Sequence, residues 1–394
     1  MRRSRRIESV VVLAVSALAS VLIAACGSSV RASRELAAPS IPTPLATSIQ
    51  TAAGAWATVA MGRLDEPLNT FWQLLFRPSG SPSWSNQVKA TAVATNGGLV
   101  LASPGGRGLL VGVRPTNLLT FSPLIYTANA GRSWSTGLLA DGLAARPDAL
   151  ATDSASRMLA LVNARAEAEV LESTGGPSRW RTLVGARALA STVAGRSCGL
   201  TTITAVGYMG ETPLAAGSCS RPDVLGVFAV RAGSWQLLEG RTPSSLARDH
   251  SEVLALESSD GSIDALLGSS EGGAVSLFAA WYRDRHWNAS QPLRVNASEQ
   301  ISSFGAMGGR GIFVLLTPSS GRARVAIANN PGASWRQLPP PPSGTATVAP
   351  GPGASIDALV VRETVLSVWT LAARSNDWVH AQTMNVPIEF GSSE

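Results

Sequence analysis

Seven tryptophans divide most of this chain into pieces of nearly equal length. They stand at positions 84, 134, 180, 235, 287, 335 and 378, separated by 50, 46, 55, 52, 48 and 43 residues. Each follows an apolar, strand-like run and a turn of Gly, Ser, Asn or charged residues. Most of them open another such run, as in Trp180-Arg-Thr-Leu-Val, Trp235-Gln-Leu-Leu and Trp335-Arg-Gln-Leu. Between them, Val, Leu, Ile and Thr alternate with clusters of Gly, Pro, Ser and Asn, and no long 3.6-residue period stands out. Helix is a minority in such a chain.

A period of about 40–50 residues with several short strands is that of four-stranded blades set around an axis. The expected fold is all-β, a seven-bladed β-propeller over residues 53–390 whose last blade lies near Trp378. A six-bladed or kelch-like propeller is the alternative, because the repeat ending at Trp84 is the most degenerate. Pro339 to Pro342 fall just after Trp335, where a blade-to-blade link belongs. The longest interval, 55 residues, holds a cysteine-bearing hairpin that accounts for its excess.

Two of the turns carry more detail. Thr127-Ala128-Asn129-Ala130-Gly131-Arg132-Ser133-Trp134 resembles the Asp-box, or bacterial neuraminidase repeat, Ser/Thr-x-Asp-x-Gly-x-x-Trp, with Asn in the Asp place. The stretch from Ala328 through Asn330 and Gly332 to Trp335 matches it with Ala in the hydroxyl place, and Ser173 to Trp180 keeps only the ends. The resemblance implies a tight turn between the third and fourth strands of a blade, on the outer rim and far from any active site. In such a turn the Asn side chain bonds its own backbone, Gly supplies a positive φ, and Trp packs sideways into the blade interface.

The amino terminus has a different character. Met1 to Arg6 carry four arginines, and an apolar run follows from Val10 to Ala25. A charged start, a short apolar stretch and a small-residue exit describe a secretory signal over residues 1–25. The exit, Ile23-Ala24-Ala25-Cys26, resembles the lipobox of bacterial lipoproteins. That resemblance implies cleavage before Cys26, diacylglyceryl on its sulfur, an anchor of two or more acyl chains and an extracytoplasmic location. Residues 26–52, rich in Ser, Ala, Pro and Thr, are expected to be a flexible tether with a reach of about 25–30 Å.

The whole chain has a net charge of +6, of which the leader's four Arg and Glu8 supply +3, leaving +3 for the remainder. No block of like charge occurs there, and an exported chain has no routine access to nucleic acid, so nucleic-acid binding is excluded as a role. A monomer is expected.

With Cys26 assigned to lipid, Cys198 and Cys219 remain as a pair in an oxidising compartment. β-Branched runs flank Gly207-Tyr208-Met209-Gly210, a hairpin signal. A turn between Tyr208 and Met209 sets Cys198 opposite Cys219 across the ladder, within disulfide reach. A structural disulfide is expected.

Asp-box propellers include sialidases, which resemble one another in an arginine triad, a Tyr nucleophile assisted by Glu, an Asp acid/base, and a Phe/Tyr-Arg-Ile-Pro segment. Here Phe76-Arg77-Pro78 lacks the aliphatic spacer, and Tyr126, Tyr208 and Tyr282 are not placed as that nucleophile is, so no catalytic residue carries over. Asp65-Glu66, Asp260 with Asp264, and Glu167 with Glu169 sit in polar turn contexts. His250, His286 and His380 lie far apart without metal-ligand spacing, and no metal or cofactor is expected. Arg248-Asp249-His250 reads as polar surface. The expected function is a non-enzymatic binding platform for a protein or glycan. A glycan-acting hydrolase and an envelope assembly factor are the alternatives. The links after each fourth strand, near Arg146 to Asp148, Arg248 to His250 and Arg294 to Asn296, are where a ligand is first to be sought.

Overall fold

The computed structural model describes residues 47–386, apart from 63–69, 88–96, 115–120, 136–141, 239–250 and breaks of one to three residues elsewhere. Within them the chain runs as four-stranded antiparallel meanders. The first is β1 (Ser48–Thr51), β2 (Gly54–Gly62), β3 (Thr70–Pro78) and β4 (Ser85–Asn86), paired in that order. Six more follow: β5–β8 over 99–143, β9–β12 over 147–185, β13–β16 over 200–237, β17–β20 over 251–289, β22–β25 over 299–337 and β26–β29 over 345–385. A short strand, β21 (Leu293–Val295), adds to β19 (Ala274–Arg283). A single register contact, Ser218 with Glu252, joins the fourth and fifth meanders into one nine-stranded sheet.

The strand sequences follow from this stacking. A strand covered on both faces reads as a continuous apolar run, as β23 (Ile312–Pro318, IFVLLTP) does. Fourth strands lie outermost and turn polar; β29 (Val379–Asn385, VHAQTMN) is largely exposed. Buried apolar clusters then join each meander to the next. Ile49, Trp56 and Leu74 of the first pack on Leu99 and Val111 of the second. Five further clusters repeat this around the molecule. A seventh joins Ala55, Val59, Leu75 and Trp84 of the first meander to Ala349, Leu359 and Val368 of the last. The ring therefore closes on itself, and the chain is a β-propeller of seven such meanders among the described residues.

The seven periodic tryptophans have one job. Each stands in the turn before its fourth strand or in that strand's first two residues, and each packs into the cluster between its own blade and the preceding one. Trp84 lies in the closing interface, and Trp134, Trp180, Trp235, Trp287, Trp335 and Trp378 fill the six others in order.

Three expectations need correction. The fold takes in Ser48–Thr51 as its innermost first strand, inside the segment 26–52 expected to be tether, because β1 pairs with β2 from Ser48–Ala57 to Thr51–Gly54. The hairpin of the fourth blade turns at Gly210–Glu211, not between Tyr208 and Met209; Met209 pairs with Thr212, and two bulges shift the register further along. The excess of the 55-residue interval lies in a helical insertion, α1 (Ala186–Ser191) and α2 (Val193–Cys198), ahead of that hairpin. No helix among the described residues is long and apolar enough to cross a membrane.

Candidate functional site

The seven innermost strands are β1, β5 (Leu99–Ala102), β9 (Pro147–Ser154), β13 (Leu200–Met209), β17 (Ser251–Ser259), β22 (Glu299–Ala306) and β26 (Thr345–Pro350). They carry the carboxylates Asp148, Asp153, Glu252, Glu257 and Glu299 and no Lys, Arg or His. Cations reach Asp148, Asp153 and Glu299 from outer positions. Arg114 lies 3.4 Å from Asp148, Arg157 3.0 Å from Asp153, and Arg324 donates to both oxygens of Glu299 at 2.6 and 2.7 Å. The Arg324 bonds hold the Glu299 carboxyl below its ordinary range. At the centre, the hydroxyls of Thr47, Ser303 and Thr347 bond one another at 2.6, 2.6 and 2.9 Å, all buried. This triangle ties the start of β1 to the sixth and seventh blades.

Glu257 is the group that sequence reading missed. It pairs across the ladder with Asp264, another carboxylate, on β18 (Ser262–Glu271). Arg283 bonds Asp264, while Glu257 accepts the Ala306 N–H. Burial, with Asp264 adding to it, pushes the Glu257 carboxyl up to about 8. A strand reading Val-Leu-Ala-Leu-Glu-Ser-Ser gives no hint of this, because the cause is what the neighbouring blade covers.

Arg77 and Asp357 occupy the closing seam. Asp357, fully buried on β27 (Ile356–Arg362), accepts from Trp84 Nε1 at 2.9 Å and Thr370 Oγ1 at 2.7 Å, with Arg77 Nε at 3.5 Å. Arg77 also donates to the carbonyls of Ser81 and Pro350, at 3.0 and 2.9 Å, and lies over the Trp84 ring. Burial pushes the Asp357 carboxyl up against the opposing pull of Thr370, Trp84 and Arg77. Phe76-Arg77-Pro78 is thus a structural lock.

The other residues singled out from sequence are dispersed. In the Thr127–Trp134 turn, Thr127 Oγ1 accepts the Gly131 N–H at 2.9 Å and Asn129 Oδ1 accepts the Ser133 N–H at 2.9 Å; Gly131 has φ +78°. In the second turn Gly332 has φ +75°, and its N–H reaches the Ala289 carbonyl of the preceding blade at 2.8 Å, while Ala333 N–H bonds the carbonyl of Asn330 at 3.3 Å. Cys198 and Cys219 form a disulfide with Cα atoms 5.3 Å apart. Cys198 ends α2, however, and Leu200 is the ladder partner of Cys219, so the bond clamps the insertion to the blade.

Tyr208 is a buried strand residue, not a turn residue; burial raises its phenol, and Arg157 lies over its ring. Tyr126 is half-buried, and Tyr282 packs against Trp287. Asp264 is buried rather than solvated, Glu167 pairs on the surface with Arg187, and Glu169 is exposed. His286 and His380 are exposed on separate blades. Of the links named for ligand search, Asp148 also accepts the Ala164 N–H at 2.8 Å, and the Arg294 carbonyl and Asn296 N–H are held by Arg324 and Glu299. Cys26, Asp65-Glu66, Arg248 to His250 and Asp260 lie outside the described residues.

Blades, interblade tryptophans and a locked seam define a β-propeller protein. No family model matches the sequence, and no curated protein matches it. Among solved structures, one of YCF48 bound to D1 peptide is 13% identical, covering 75% of this chain and 82% of that one, with a TM-score of 0.39. SapL1 lectin in complex with alpha methyl fucoside is 12% identical over 88% and 98%, TM-score 0.43. Aleuria aurantia lectin, a six-bladed β-propeller, is 13% identical over 87% and 96%, TM-score 0.41.

Proposed function

We propose that this chain is an extracytoplasmic lipoprotein, anchored through Cys26, whose monomeric propeller is a non-enzymatic binding platform for a protein or glycan. The observation that carries the reading is where the polar groups are spent. Arg77, Asp357, Asp264 and Glu299, the residue types from which a catalytic centre is built, hold strands and blades together in ion pairs. A framework so locked leaves its loops free to vary in a ligand's service. The turns at Thr127–Trp134 and Ala328–Trp335 are read as Asp-box turns, consistent with a rim that is architectural.

Two experiments test the reading. Cys26→Ala should move the protein out of the membrane fraction or block its processing; unchanged retention and mass would reject the anchor. Affinity capture with the purified protein, beside a glycan array, should return a saturable ligand and no turnover of sialosides or aryl glycosides. Turnover that one substitution of Tyr, Asp or Glu abolishes would replace the platform with an enzyme.

A further inference from the structure

A cavity of about 140 Å³ opens between the sixth and seventh blades, on the face that carries the third-to-fourth-strand turns. Its walls are the buried side chains of Met307, Ile327, Leu338, Ile356 and Leu371. At its mouth stand Asn329 and Arg336, both exposed, with Ala372 and Ala373 on the opposite lip.

One lip of the cavity departs in sequence from the equivalent turn of the second blade. Counted back from the blade tryptophan, Leu371, Ala372 and Ala373 before Trp378 occupy the places of Thr127, Ala128 and Asn129 before Trp134. In the second blade the hydroxyl and amide there fill the turn with hydrogen bonds. Beneath that turn lies the Trp56 ring, 3.0 Å from where a Cβ on Gly131 would be. In the seventh blade Leu371 and Ala373 replace both polar groups, and both line the cavity.

Arg336 stands apart from two other arginines of outer strands, Arg181 of the third blade and Arg324 of its own blade. Arg181 pairs with Glu172 at 2.8 Å and Arg324 with Glu299 at 2.6 Å, whereas Arg336 pairs with no carboxylate among the described residues. An apolar hollow with one cation and one amide at its rim has the composition of a small-molecule site. An apolar cavity of about 150 Å³ accommodates a benzene ring. Guanidinium recognises carboxylate with two parallel hydrogen bonds.

We propose that this cavity binds a small organic carboxylate whose apolar group of about four to six carbons fills the hollow while its carboxylate meets Arg336. The site is independent of the anchor and of any larger ligand of the propeller. Its physical requirement is a planar anion attached directly to a compact apolar body. Longer or fully polar anions fail on one count or the other.

Titration of the full chain with benzoate and with benzamide, followed by calorimetry and ligand-observed NMR, tests this. Benzoate should bind saturably and benzamide at least tenfold more weakly. Arg336→Gln should weaken benzoate at least tenfold and leave benzamide unchanged; Ala373→Phe, which blocks the mouth, should abolish both. Arg336 is exposed, so its substitution keeps the fold and decides the matter alone if Ala373→Phe fails to fold. Equal binding of acid and amide, no saturable benzoate binding, or an Arg336→Gln variant that binds benzoate as the parent does would each overturn the site.

Discussion

A carboxyl such as that of Glu257 is shaped by what covers it. Facing Asp264 across a ladder and covered at the blade interface, it keeps its proton in the folded state up to about pH 8. In the unfolded chain it loses that proton near 4.5. The stability tied to the proton is fully present below the unfolded value and is lost as pH rises through the folded one. Between about pH 4.5 and 8 the loss should amount to a few kcal/mol. Glu257→Gln keeps the shape and removes the titration, so its melting temperature should change less with pH than the parent's across that window. Identical pH slopes for the two would reject the account.

Elements of this fold are held by their neighbours more than by their own propensities. The helices α1 and α2 have six residues each, too short to persist alone. Thr192 caps α2, accepting the Gly195 N–H at 3.0 Å, and Gly199 ends it at φ +66°. The disulfide, 21 residues in span and buried against Gly226, ties the helix end to β14 (Thr212–Cys219). Closing a loop of this length stabilises by about 3 kcal/mol in the chain-entropy model. Reduction, or the Cys198→Ala/Cys219→Ala pair, should lower the urea midpoint accordingly and raise hydrogen exchange in the insertion first. Exchange that rises uniformly over all blades would show that the bond does not act locally.

At the scale of the whole molecule, the closing seam carries a burden no other interface shares, because the first and last blades are far apart in sequence. The Arg77–Asp357 pair lies there with Trp84, Thr370 and two backbone carbonyls as partners. Asp357→Ala leaves a buried guanidinium without its counterion and should cost about 3–5 kcal/mol. Replacing both partners by apolar residues, Arg77→Met with Asp357→Leu, should recover most of that loss. A double-mutant cycle in urea measures it, and single and double variants of equal stability would refute the pair's part in closure.

The sequence alone determined the architecture and much of its local detail. Seven tryptophans at blade spacing, apolar strands and Gly-bearing turns encode a unit that must stack on copies of itself, and each of those signals is local. Thr127, Asn129 and Gly131 announced their turn for the same reason, since an Asx-type turn is made of neighbours in the chain. The pairing of Cys198 with Cys219 was legible by elimination, yet its geometry was not, because bulges and a helical insertion are set by fit to the third blade. Tertiary structure alone decided what Arg77, Glu257 and Arg336 are. One is buried in a seam, one is covered by the next blade, and one stands without a carboxylate partner among the described residues beside a hollow between the sixth and seventh blades. Burial and charge pairing depend on residues of other strands and other blades, as far apart in the chain as Arg77 and Asp357, and no local pattern records them.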